Sequence, residues 1–210
     1  MVNMSDEHRR VENLEAVGGH LAIDFVNTVE YWRGQQHGFD YLENFEALLR
    51  WHRLADVIGA RDARLLSSGG QPAQAETHRQ AIQLRATLHG ILDALANRQS
   101  PSAGLLDRFN SDANRIIRET VAWRRLKAQG RDFSVKWDFN NAPPQALLGP
   151  LVWQSLELLE HGRLDRIKAC PVAEGCGWLF LDLSKNRSRT WCSMKTCGNT
   201  AKVRRFRARH

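Results

Sequence analysis

The residues with the most distinctive chemistry are four cysteines, Cys170, Cys176, Cys192 and Cys197, the full cysteine complement of a 210-residue chain. They form two close pairs, with five residues inside the first, fifteen between the pairs and four inside the second. Four soft thiolates suit a tetrahedral zinc ion better than a hard cation. A catalytic disulfide would place two residues between its cysteines, and a disulfide framework is foreign to the reducing cytoplasm. A closed set of four protein ligands leaves no open coordination position, so one structural Zn2+ is expected. Its binding energy would serve as folding energy for a segment too short to build its own core. Turn residues flank each pair: Pro171, Gly175 and Gly177 around the first, Gly198 and Asn199 after the second.

The elements that must position these thiols are short. Trp178 to Leu183 reads as a strand leading out of the first knuckle, with Leu164 to Ala169 as its partner. Ser184 to Arg189 is a polar, basic turn. Thr200 to His210 reads as a helix, on which Val203 and Phe206 are expected to pack against the knuckle and hairpin. Two knuckles, a hairpin and a helix describe a treble-clef-like or ribbon-like zinc module. Trp178, Phe180 and Trp191 serve either as its small core or as a stacking platform for unpaired bases.

The same quarter of the chain is strongly basic. Residues 163–210 carry twelve Lys and Arg against Asp165, Glu174 and Asp182, a net +9, whereas residues 1–162 carry −2 of the overall +7. No acidic residue lies between Ser184 and His210. Such asymmetry points to a polyanion-binding module joined to a body with another task. The candidate contact residues are Lys185, Arg187, Arg189, Lys195, Lys202, Arg204, Arg205, Arg207 and Arg209, with Arg205 or Arg207 available for base readout.

The stretch Cys192-Ser-Met-Lys-Thr-Cys197-Gly-Asn, preceded by Asp182, Asn186, Arg189 and Trp191, resembles the CGNR zinc-finger family. Gly19-His-Leu-Ala-Ile-Asp-Phe-Val-Asn-Thr28 resembles the opening signature of the ABATE domain, which precedes that finger in stress-linked transcription regulators. The family motif ends in Arg where this chain has Thr200, so any contact made by that Arg would fall to Lys202, Arg204 or Arg205. The resemblance implies a transcription regulator and divides the chain into a polar segment (1–17), an ABATE-like domain (18–162) and the basic finger (163–210).

The remaining pattern is mainly helical. Phe39 to Ile58 and Ala73 to Asn97 carry apolar residues near a 3.6 period, and 67–72 reads as a loop. Ser102 offers an N-cap to a helix over 102–117. Glu119 to Leu126 and Asp132 to Phe139, either side of Gln129-Gly130, read as a β-hairpin. Pro143-Pro144 opens a helix reaching His161, with Gly162 as C-cap. Asp24, Asn27 and Thr28 fall on one face if their segment is helical. There they line a ligand pocket, or else cap helices and satisfy buried backbone groups.

These features favour a DNA-binding regulator in which zinc holds the finger and the helical domain senses a small molecule or a partner. Two alternatives stand beside it: an RNA-binding zinc ribbon, and a protein-interaction module with a purely structural zinc. The eight histidines form no metal or triad spacing with carboxylates, so no enzyme is expected. No apolar run suggests a membrane span or a secretory signal, which reads as cytoplasmic. No coiled-coil heptads suggest a dimer.

Overall fold

The computed structural model describes residues 11–30, 39–171 and 176–208. The body is helical and is organised around one long helix. α1 spans Leu21–Val26, α2 Phe45–Leu54, α3 Ala60–Ser67, α4 Gln71–Ala96, α5 Ala103–Thr120 and α6 Gly149–His161. α4 has 26 residues and is about 39 Å long at 1.5 Å per residue. Leu84, Leu88, Ile91 and Leu92 share one face with Thr77, flanked by Gln80 and Thr87 on one border and Arg85 on the other, all buried. That breadth of burial marks a central helix: α1, α2, α5 and the 3-10 turn Pro144–Leu148 surround it. The core joins Phe25, Leu48, Leu66, Ile116, Leu147 and Leu151 to it, each fully buried.

Local signals account for most helix ends. The Asn44 side chain accepts from the Ala47 N–H at 2.9 Å and starts α2, and Ser102 accepts from Leu105 N–H at the start of α5. Pro72 occupies the first turn of α4. The helix expected over 39–58 is shorter than its apolar pattern. Asp40 accepts the Leu42 N–H at 2.9 Å, forming a turn that presents Tyr41 and Leu42 to the core without a helix. α3 was not foreseen: with eight residues it carries too few periods to read.

The hairpin is present as β1 (Arg124–Gln129) and β2 (Asp132–Trp137), antiparallel, with Leu126 opposite Val135. Gly130 takes φ +65° in the connecting turn. The first strand starts later than expected because α5 continues to Thr120 and a 3-10 turn follows. Trp137 anchors the hairpin on α6, its ring lying where a side chain on Gly149 would stand. The basic module follows α6: β3 (Ile167–Ala169) pairs antiparallel with β4 (Leu179–Leu181), and α7 (Asn199–Arg207) closes the chain. The architecture is thus mainly α with two small hairpins.

His52 is fully buried on α2, with Nδ1 2.8 Å from the Leu48 carbonyl oxygen. Burial lowers its pKa to about 4, against partial compensation from the backbone at Leu48 and Leu147. The unfolded imidazole titrates near 6.5, so between those values protons favour the unfolded chain. Stability is complete above pH ~6.5 and is lost as pH falls towards 4, by roughly 3 kcal/mol at most. Urea unfolding at pH 7 and pH 4.5 should show this loss in the parent chain and a smaller one in His52→Gln.

Candidate metal centre and basic surface

The two knuckles bring the four thiols together. All four Sγ atoms lie within 4.8 Å of one another, with Cys176 to Cys192 at 3.3 Å and Cys192 to Cys197 at 3.7 Å. A tetrahedral ion with Zn–S bonds near 2.3 Å requires sulfurs about 3.8 Å apart, so the donor set and its spacing fit zinc. Cys170 and Cys192 are buried; Cys176 and Cys197 are half-buried. Hydrogen bonds from its neighbours pull the Cys170 thiol far down, while its bond to Cys170 and burial push Cys176 far up. Four thiolates this close repel one another, and a divalent cation offsets that repulsion.

Local backbone explains the second knuckle. Residues Met194–Gly198 make one wide π-type turn, in which Gly198 N–H donates to the Ser193 carbonyl at 3.0 Å. That turn brings Cys197 back towards Cys192. Below the thiols sits a small core of Phe180, Trp191 and Ala201, with Val17 and Trp178 against it. Phe180 is fully buried, and Trp178 Nε1–H donates to the Val29 carbonyl at 2.9 Å. These aromatic residues are core and interface, not an open stacking platform.

The module's loop is held by its own cations. Asp182, buried, accepts from Lys168 Nζ at 2.7 Å, from Ser184 N–H at 3.0 Å and from Arg189 N–H at 3.1 Å. The Lys168 ammonium holds its carboxyl well below the usual carboxylate range. Arg166 donates to the Ser184 carbonyl at 2.7 Å. Arg189 donates to the carbonyls of Trp191 (2.9 Å), Val17 (3.0 Å) and Cys192, and its guanidinium lies 4.5 Å above the Phe180 ring. Arg189 is therefore spent inside the finger, although its type and place suggested a nucleic-acid contact. Arg187 is exposed and pairs with Asp165 at 2.6 Å.

Lys185, Lys195, Lys202, Arg204, Arg205 and Arg207 are exposed, with the Arg205 guanidinium 6.0 Å from the Trp191 ring centroid. Arg209 and Gly175 lie outside the described residues, as do residues 1–10 of the polar N-terminal segment. Thr200, at the position of the family Arg, is exposed. The expected packing of Val203 and Phe206 is not found: they are 47% and 65% exposed, and Ala201 alone on α7 is buried. The finger's core is already filled by Phe180 and Trp191, so α7 needs only a small residue to seat.

The opening of the body receives the finger. The Asn27 carboxamide donates to the Leu179 carbonyl at 2.8 Å and accepts the Leu179 N–H at 2.9 Å, closing the outer edge of β4. Leu181 N–H donates to Gly18 O at 2.8 Å. Gly18 N–H donates to Asp24 at 2.7 Å, and a Cβ on Gly18 would stand 2.7 Å from the Ile23 side chain. Gly19 then turns at φ +76° to enter α1, which His20 caps. Thr28 donates to Phe25 O at 2.7 Å and accepts from Arg85 at 2.9 Å, and Arg85 in turn pairs with Asp40.

Among the described residues, Asp24 parts from Asn27 and Thr28. α1 ends at Val26, and the last two are buried on internal partners. Asp24 borders a hollow of about 310 Å³, beside Leu14, Leu21, Trp51 and Leu54. Burial raises its pKa to about 6. The structural role of Asn27, Arg166 and Lys168 had no sequence signal beyond their lying in or beside recognised motifs.

Residues 166–210 match the family described as CGNR zinc finger, and residues 19–162 match the ABATE family, described as "Putative stress-induced transcription regulator". No curated protein sequence is significantly similar to the chain. Among the described residues, no helix is long and apolar enough to cross a membrane.

Replacing Asn27 strands both polar groups of buried Leu179. Asn27→Ala should cost about 2–4 kcal/mol in urea unfolding and speed metal loss to a chelator, although residue 27 touches no ligand. Asn27→Asp should be at least as damaging, because a carboxylate cannot donate to Leu179 O.

Proposed function

Starting from the fact that the chain belongs to the ABATE family and ends in a CGNR zinc finger, we propose that it is a zinc-dependent, DNA-binding transcription regulator. One Zn2+ is held by Cys170, Cys176, Cys192 and Cys197 and is structural, all four positions being protein sulfur. When bound, the ion supplies folding energy and fixes the two knuckles; the protein's own residues do the recognising.

The observation that carries the reading is the sorting of charge on the finger. Asp182 is consumed by Lys168 and by backbone donors, and Asp165 pairs with Arg187. Beyond them the exposed residues Lys185, Lys195, Lys202, Arg204, Arg205 and Arg207 share one sign. A phosphate backbone is the complement of such a surface, and each neutralised phosphate releases counterions. The finger is clamped to the helical body through Asn27 and Gly18, so the body sets how those cations are presented. An effector site in the body is best sought in the hollow beside Asp24. There a ligand would act on Gly18, and through it on β4. The protein acts by binding, with no turnover assigned.

Native mass spectrometry should give one zinc per chain, lost in Cys192→Ser together with DNA binding. In anisotropy titrations against duplex DNA at several salt concentrations, Arg204→Ala and Arg207→Ala should each reduce the log–log salt slope by roughly 0.9. Arg189→Ala should instead weaken metal retention. A salt-independent affinity, or a slope that ignores Arg204 and Arg207, would refute DNA binding through this surface.

A further inference from the structure

The exposed apolar residues of α7 are not accounted for by phosphate contacts. Val203 and Phe206 lie one turn apart and, with Asn199, Lys202 and Arg207, line an open hollow of about 570 Å³. Phe206 is 65% exposed and Val203 47%. This face of the helix is therefore an apolar stripe bordered by cations, while the opposite face seats Ala201 on the finger and carries Arg205 beside Trp191. No acidic residue follows Asp182 in the sequence.

We propose that Phe206, backed by Val203, is a wedge that enters the base stack of a DNA duplex while Lys202 and Arg207 hold the flanking phosphates. The proposal rests on the DNA-binding reading above and specifies its mode. A groove of duplex DNA presents phosphates along both walls and, between them, sugar and base surfaces that are largely apolar. The order cation, aromatic, cation along one helical face matches that cross-section. Side chains of this type, inserted at a base step, unstack it and kink the duplex, and flexible pyrimidine–purine steps yield most easily. The occupant is identified by charge complementarity. A protein groove for this stripe would need acids on both rims, whereas a duplex supplies them throughout its length. The wedge also gives a role to a large aromatic residue that the finger's filled core leaves at the surface.

The test uses the full zinc-loaded chain and a duplex of about two helical turns carrying 2-aminopurine at a central TA step, with donor and acceptor dyes at its ends. Binding of the parent chain should raise 2-aminopurine fluorescence and shorten the end-to-end distance. Phe206→Ala should weaken binding roughly tenfold and abolish both signals while leaving the salt slope unchanged. Phe206→Trp should retain both. Because residue 206 is exposed, zinc content and unfolding midpoint should be the same in all three chains. Duplex binding by the parent chain with no fluorescence change, or an unaltered affinity in Phe206→Ala, would overturn the wedge and leave the DNA reading standing. No binding to duplex would overturn both. Binding to vesicles of anionic phospholipid in place of duplex would assign the stripe to a membrane surface and likewise overturn the proposal.

Discussion

Asn27 and Leu179 are 152 residues apart and exchange two hydrogen bonds in the interior. The pair answers the main physical problem of this chain. β4 has three residues and pairs with β3 along one edge, which leaves its other edge with polar backbone groups that burial would strand. A carboxamide offers one donor and one acceptor in the geometry of a peptide group, so Asn27 stands in for a neighbouring strand. Gly18 supplies a further acceptor to Leu181, and Arg189 reaches back to Val17. The finger and the helical body are thereby joined along this seam, and the ABATE opening motif is the surface on which the finger sits.

That seam also explains how the basic residues divide. Arg166, Lys168 and Arg189 satisfy carbonyls and the buried Asp182, and they fix the 182–189 loop that leads into the second knuckle. They need partners because they sit beside a small core that excludes water. The cations on and before α7 stay at the surface, Arg205 against the Trp191 ring. One composition thus divides into residues that fasten the finger internally and residues that stay exposed.

The body itself rests on α4, whose buried polar residues bond both within the helix and to distant segments. Thr77 donates to Ala73 O at 2.7 Å, and Arg85 ties the end of the opening motif to Asp40 through Thr28. The contacts of α4 with both α1 and β3 make it the beam that links the opening motif to the finger.

Much of this was legible in the residues alone. The cysteine spacing marked two knuckles and a zinc-type donor set. The charge partition marked the finger as the basic part of the chain. Ser102 and Gly130 marked the start of α5 and the hairpin turn. Such features are local: ligand spacing, side-chain period and turn chemistry act within a few residues, so the sequence carries them openly. Tertiary structure decided the rest. It turned Arg189 inward and left Phe206 outward, although their types suggest the reverse, because the core beneath was already filled by Phe180 and Trp191. It gave Asn27 and Thr28 internal partners more than 50 residues away, where their spacing alone also allowed a pocket. Whether a polar side chain meets a ligand or a distant backbone group depends on what the folded chain brings beside it, and no short window of sequence contains that neighbour.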